Sequence, residues 1–158
     1  MGTRSRIGVM HGDKCKSVYC HWDGYLSHNG RILQEHYDSA KANHLVALGD
    51  LSSLRKDIGE KHAFSQFELR AEEVAGFKLL TENMCTFYGR DRGEKDTEFQ
   101  VAHTFAEFLE QCDNCAAEYY YINKDGEWYC GTTYENTHPL SNTLTALVEA
   151  LATEKETV

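Results

Sequence analysis

Apolar and polar residues alternate at the start of the chain, where Ser5, Ile7 and Val9 interleave with Arg4, Arg6 and Gly8. That period of two is the pattern of a half-buried strand. His11-Gly12-Asp13-Lys14 is turn chemistry and residues 15–21 read as the partner strand, so the chain opens as a β-hairpin. The period then lengthens. After a loop over 22–29, Ile32, Leu33, His36 and Tyr37 share one helical face. A second helix carries Ala42, Leu45, Val46 and Leu48, with Ser39 as its cap and Gly49 as its stop. Residues 50–54 read as a turn or a single helical turn, and 71–80 as a short helix interrupted by Gly76. Residues 85–89 read as a strand running into the polar stretch Arg90-Asp91-Arg92-Gly93-Glu94. Phe99, Ala102, Phe105, Ala106, Leu109 and Cys112 line one side of a further helix. Residues 118–123 and 127–133 predict a second hairpin about Lys124-Asp125-Gly126. Leu144, Leu147, Val148 and Leu151 predict a last helix capped by Ser141. The sum is one α+β domain over residues 1–158, an antiparallel sheet of about five strands with helices mainly on one face.

Strand parity turns this pattern into a candidate surface. If Ile7 and Val9 face the core, Arg4 and Arg6 face away, because neighbours on a strand point to opposite sides. Val18 and Cys20 inward leaves Tyr19 and His21 outward, and Phe87 inward leaves Tyr88 and Arg90 outward, with Arg92 beyond them. Guanidinium forks beside flat rings suit phosphates and bases, or carboxylates on a partner protein. The competing explanation is an ordinary charged outer face. The densest chemistry lies in Tyr19-Cys20-His21-Trp22-Asp23-Gly24-Tyr25, where Gly24 after Asp23 is expected to supply the positive φ of a sharp corner. Two rings as large as Trp22 and Tyr25 gain from such a corner only by packing on the core or on a ligand.

Charge narrows the partners. Sixteen Lys and Arg against 25 Asp and Glu leave a formal net charge of −9, which argues against nonspecific nucleic-acid binding. No apolar run reaches membrane-spanning length, so no membrane partner is expected. Six cysteines without a secretory signal point to free thiols in a reducing cytoplasm. Cys112 and Cys115 have the two-residue spacing that lets two thiolates share a zinc, but no second pair has it, and no metal is expected. No glycine-rich phosphate loop, nucleophile elbow or zinc-protease helix is present, and no cofactor is expected. His21 with Asp23, and His36 one helix later, have the residue types for acid–base cleavage of a phosphodiester, with Arg4 and Arg90 steadying the phosphate. Tyr119, Tyr120, Tyr121, Trp128 and Tyr129 have the rings of a base-stacking sheet, or of a filled interface between sheet and helix.

Four blocks carry a resemblance. Thr3-Arg4-Ser5-Arg6-Ile7, the 19–25 block, Gly49-Asp50-Leu51-Ser52-Ser53-Leu54 and Tyr88-Gly89-Arg90-Asp91-Arg92-Gly93-Glu94 resemble recurring blocks of small uncharacterised proteins encoded by tailed bacteriophages. The resemblance runs from the start of the chain to the hairpin at Glu127-Trp128-Tyr129 and leaves out Cys112 and Cys115. It implies a phage gene product in the cytoplasm of an infected bacterium, and it brings no activity with it. The expectation is an accessory protein of host takeover or counter-defence. It would bind a host protein or a small anionic, nucleotide-like ligand through Arg4, Arg6, Tyr19, His21, Trp22, Tyr88, Arg90 and Arg92. The alternatives are a small nucleotide- or RNA-processing enzyme using His21 and Asp23, and a structural or assembly component.

Overall fold

The opening alternation does form a hairpin. In the computed structural model, which describes residues 2–133, 145–147 and 151–152, strand β1 (Ser5–His11) pairs antiparallel with β2 (Lys14–Cys20). Helices α1 (Arg31–His36) and α2 (Ser39–Ala47) follow, then β3 (Leu51–Ser53), α3 (Val74–Thr81), β4 (Thr86–Phe87) and α4 (Tyr88–Arg92). The chain continues through β5 (Gln100–Ala102), α5 (Phe105–Asn114), β6 (Tyr119–Lys124), β7 (Glu127–Thr132) and β8 (Thr145–Ala146). The strands make one sheet in the order β4-β3-β2-β1-β6-β7-β8, with β5 alongside β2.

The architecture is mixed α and β, but the sheet is larger than expected and not purely antiparallel. Two pairings, β1 with β6 and β2 with β3, are parallel. The reason lies in the connections: a chain leaving β2 through two helices re-enters from the far end, which only a parallel partner accepts. Residues 50–54 therefore hold a strand, with Leu51 fully buried opposite Cys20. Helix α1 buries Leu33 and is followed by buried Tyr37, whereas His36 is exposed. The cap of α2 is Asp38, whose carboxylate accepts from the Lys41 amide at 2.8 Å, one residue before the expected Ser39. Gly76 does not interrupt α3.

Helices cover both faces rather than mainly one. Ile7, Val9 and Val18 join Leu33, Leu45, Val46, Phe87 and Tyr121 in the larger core beneath α1 and α2. On the opposite face, α5 closes a second core of Cys15, Ala102, Phe108, Cys112, Tyr120 and Ile122. The 99–112 pattern splits: Ala102 belongs to β5, and Thr104 caps α5 by accepting from the Glu107 amide at 3.1 Å. From there Phe105, Phe108, Leu109 and Cys112 form the inward stripe, with Ala106 left exposed. The tyrosine ladder fills both interfaces: Tyr121 enters the larger core, while Tyr120 meets Phe105 and Phe108 edge-on in the second. Leu147 and Leu151 are buried in the larger core, and the expected Ser141, Leu144 and Val148 lie outside the described residues. No helix among the described residues is long and apolar enough to cross a membrane.

Phe108 distinguishes this two-sided sheet from one with a solvated outer face. We expect Phe108→Ala to cost about 3–5 kcal/mol in urea unfolding, the loss typical of an emptied aromatic core site. A cost below about 1 kcal/mol would place the ring at a surface.

Candidate functional site

The end of β2 runs past the hairpin into open space on the α5 side of the sheet. Tyr19 and His21 project there together, as parity requires, and the Tyr19 hydroxyl lies 2.6 Å from His21 Nδ1. The strand is held straight through this stretch by β3: the His21 amide donates to the Leu51 carbonyl at 3.1 Å and the Trp22 amide to that of Ser52 at 3.0 Å. Asp50, just before β3, sits beneath the pair and accepts from the Tyr19 amide at 2.9 Å. Gly49 makes that placement feasible. Its φ is +92°, and an added Cβ would come within 2.4 Å of the Thr97 carbonyl oxygen. Asp50 in turn donates its amide to that same carbonyl at 2.8 Å and accepts from the Tyr88 amide at 3.2 Å.

Tyr88 opens α4 instead of ending a strand, so Tyr88 and Arg92 lie one helical turn apart. Both meet Tyr19, His21 and Asp50 around a cleft of about 480 Å³, with Glu94, Asp96 and Thr97 on its remaining side. Arg92 is largely exposed and reaches Glu94 only at 4.0 Å, which leaves its charge largely unspent. Burial pushes the Tyr19 phenol up to about 12 against the pull of Arg4. The Asp50 carboxyl is also raised by burial, opposed by the Tyr19 amide and Arg6. His21 is lowered, chiefly by desolvation and then by the Arg4 charge. The cleft thus presents a neutral imidazole and two phenols, with the carboxylates of Asp50, Glu94 and Asp96 and the guanidinium of Arg92, which faces Glu94.

The predicted site residues divide. Arg4, Tyr19, His21, Tyr88 and Arg92 are at the cleft or act on it electrostatically. Arg6 shares their face but is buried under α5: its guanidinium donates to Ser17 Oγ at 2.9 Å and the Ser17 carbonyl at 3.0 Å, and lies 3.7 Å from Cys115 Sγ. The outer face is a second core there, so Arg6 is sealed from solvent. Arg90 also turns away. It donates to the carbonyls of Ile58 at 2.9 Å and Cys85 at 2.9 Å, stacks over Phe87 and pairs with buried Asp91 at 3.0 Å. Asp91 itself accepts from the His62 and Phe87 amides, at 3.0 and 2.8 Å. This knot fastens the 57–62 segment to α4.

Trp22 and Asp23 line a neighbouring cleft of about 360 Å³ together with Ser52, Phe64 and Phe77. The expected His21–Asp23 couple is therefore divided between two clefts, and the partner of His21 is Tyr19. The corner also differs in detail: Asp23 carries the positive φ of 55°, while Gly24 is required because a Cβ would lie 2.8 Å from that of Ser5. Cys112 is fully buried, with its thiol pushed up by burial, and all six cysteines are free. Among the described residues no group of three or more His, Cys, Asp or Glu is placed to hold a metal ion. Asp50 escaped the sequence reading because it sat next to a helix stop, and Phe64 because its segment shows no clear period. The useful signal was Gly49-Asp50 itself, a carboxylate fixed by a glycine in an unusual conformation.

The fold and cleft define the class: a mixed-sheet α and β protein with a ring-walled cleft at the end of its second strand. Comparison of the chain with known protein families, with curated proteins and with solved structures finds no match.

Two measurements test this geometry. His21 should titrate below the usual value of about 6.5 in an NMR pH series, and Arg4→Gln should raise its midpoint. Because the folded pKa is the lower one, the unfolded chain takes up the proton first, and this contribution to stability is lost as pH falls below about 6.5. A midpoint above 6.5 would contradict the arrangement. Arg90→Ala should lower stability by about 3–5 kcal/mol, since it removes the guanidinium that balances the buried Asp91 carboxylate and leaves it only the His62 and Phe87 amides and the His62 ring. An unchanged melting temperature would free Arg90 for a role at the surface.

Proposed function

We propose that the chain is a bacteriophage accessory protein that binds a small anionic, nucleotide-type ligand in the Tyr19–His21–Tyr88–Arg92 cleft without turning it over. One observation supports this most strongly: three of the four sequence blocks, far apart in the chain, line this cleft, and the fourth acts on it through charge. The 19–25 block gives Tyr19 and His21, the 49–54 block gives Asp50, and the 88–94 block gives Tyr88, Arg92 and Glu94. Arg4, from the first block, acts on Tyr19 and His21 through its charge. Rings offer a base or sugar a stacking wall, and an exposed guanidinium offers a phosphate its partner. Binding without turnover is favoured because the groups suited to acid–base work are dispersed, with Asp23 in the neighbouring cleft and His36 exposed on α1.

A second reading, contact with a host protein, has an observation of its own. Phe67 is 89% exposed and Leu79 67% exposed, both on the segment around α3. Such side chains favour a protein partner where they cluster.

Calorimetric titration of the full chain with AMP separates the two. Arg92→Ala should weaken binding roughly ten- to hundredfold, the worth of a charge-assisted contact, with the fold intact, and Arg4→Ala should weaken it less, because Arg4 acts on the cleft through its field rather than by lining it. Arg92→Lys should keep only part of the affinity, because an ammonium lacks the bidentate fork. AMP binding that neither substitution changes would move the site elsewhere.

A further inference from the structure

The two clefts lie back to back across a ridge of rings. On one flank, Tyr88 and Arg92 face the first cleft while Phe64 faces the second. The Phe64 ring stacks at a tilt on Tyr88, with centroids 5.6 Å apart, and the Arg92 guanidinium sits 5.0 Å above Phe64. On the other flank, His21 of the first cleft meets Trp22 of the second edge-on, with centroids 4.6 Å apart. Each cleft thus has ring walls of its own, and each falls near the low end of the roughly 300–1,000 Å³ usual for small-molecule sites.

Charge is distributed unevenly over this double site. In the second cleft the Arg55 guanidinium is turned to protein carbonyls, donating to Thr81 at 3.1 Å and Leu54 at 3.0 Å, while Ser52, Ser53 and Thr86 offer neutral hydroxyls and Asp23 a carboxylate that opposes a phosphate there. In the first, Asp50, Glu94 and Asp96 oppose a chain of phosphates. The charge available to a single phosphate is that of Arg92, on the ridge between the clefts.

Resting on the nucleotide reading above, we infer that the ligand is a dinucleoside monophosphate, with one nucleoside in each cleft and its linking phosphate over the ridge at Arg92. The rings of both clefts select flatness rather than a base identity, so the pair of bases is not fixed by the walls. The chain's charge of −9 disfavours a long strand, whose further phosphates would lie over an acidic surface.

The experiment is calorimetry on the full chain with AMP, with adenylyl-adenosine (two adenosines joined by one phosphate) and with a ten-nucleotide oligoadenylate. Adenylyl-adenosine should bind roughly tenfold or more tighter than AMP, the worth of one added stacked base. Phe77→Ala, which strips a wall of the second cleft and none of the first, should remove that advantage and leave AMP affinity unchanged. If that variant does not fold, Trp22 fluorescence in the unaltered protein serves instead, since the other tryptophan, Trp128, is buried. Adenylyl-adenosine should then quench Trp22 more strongly than AMP at saturation. Equal affinity for AMP and adenylyl-adenosine would overturn the two-cleft inference and leave the single-cleft reading standing. Tighter binding of the oligoadenylate would overturn it in favour of a strand. Absence of binding by all three would overturn the nucleotide reading and this inference with it.

Discussion

Strand β1 lies within the sheet, and its alternate residues have to satisfy two buried faces at once. Ile7 and Val9 enter the larger core, while Arg6 goes to the other side beneath α5. A strand covered on one face can place charge outward freely; a strand covered on both must give each polar group a partner. Arg6 finds Ser17, on the adjacent strand, through both its hydroxyl and its carbonyl. This arrangement locks the register of the β1–β2 hairpin, because a one-residue slip would send the guanidinium into the apolar core.

The register locked at Arg6 fixes what happens at the far end of β2. Tyr19 stands opposite Arg6, and His21 follows on the same face just beyond the cover of α5. Asp50 and Tyr88 come to the same place through a short chain of backbone hydrogen bonds involving Thr97. The cleft is therefore built from rigid strand and tight turn, and little of it depends on long flexible side chains. Preorganisation of that kind reduces the ordering cost of binding.

Much of this was legible in the chain. Period-two alternation and a turn gave the first hairpin, the Lys124-Asp125-Gly126 turn gave the second, and parity correctly put Arg6, Tyr19 and His21 on a common face. The parity argument stopped short at Arg6 and Arg90 for different reasons. Parity tells which side a residue takes, but not whether a later helix covers that side, and α5 covers Arg6. Arg90 lost its strand parity altogether, because the backbone turns helical at Tyr88. The segment over 50–54 was misread because three residues are too few to show a period, and its strand character comes from pairing with Cys20. Asp23 and His21 looked like a couple by proximity in sequence, yet the turn at Asp23 carries its side chain to the other side of the ridge.

The most direct measurement is a backbone-amide NMR titration of the labelled chain with adenylyl-adenosine. The shifts that move should cluster at Tyr19, His21, Trp22, Ser52 and Tyr88, with the amides of β7 unmoved. Shifts confined to the segment around α3, or spread evenly over the surface, would contradict a site at the end of β2.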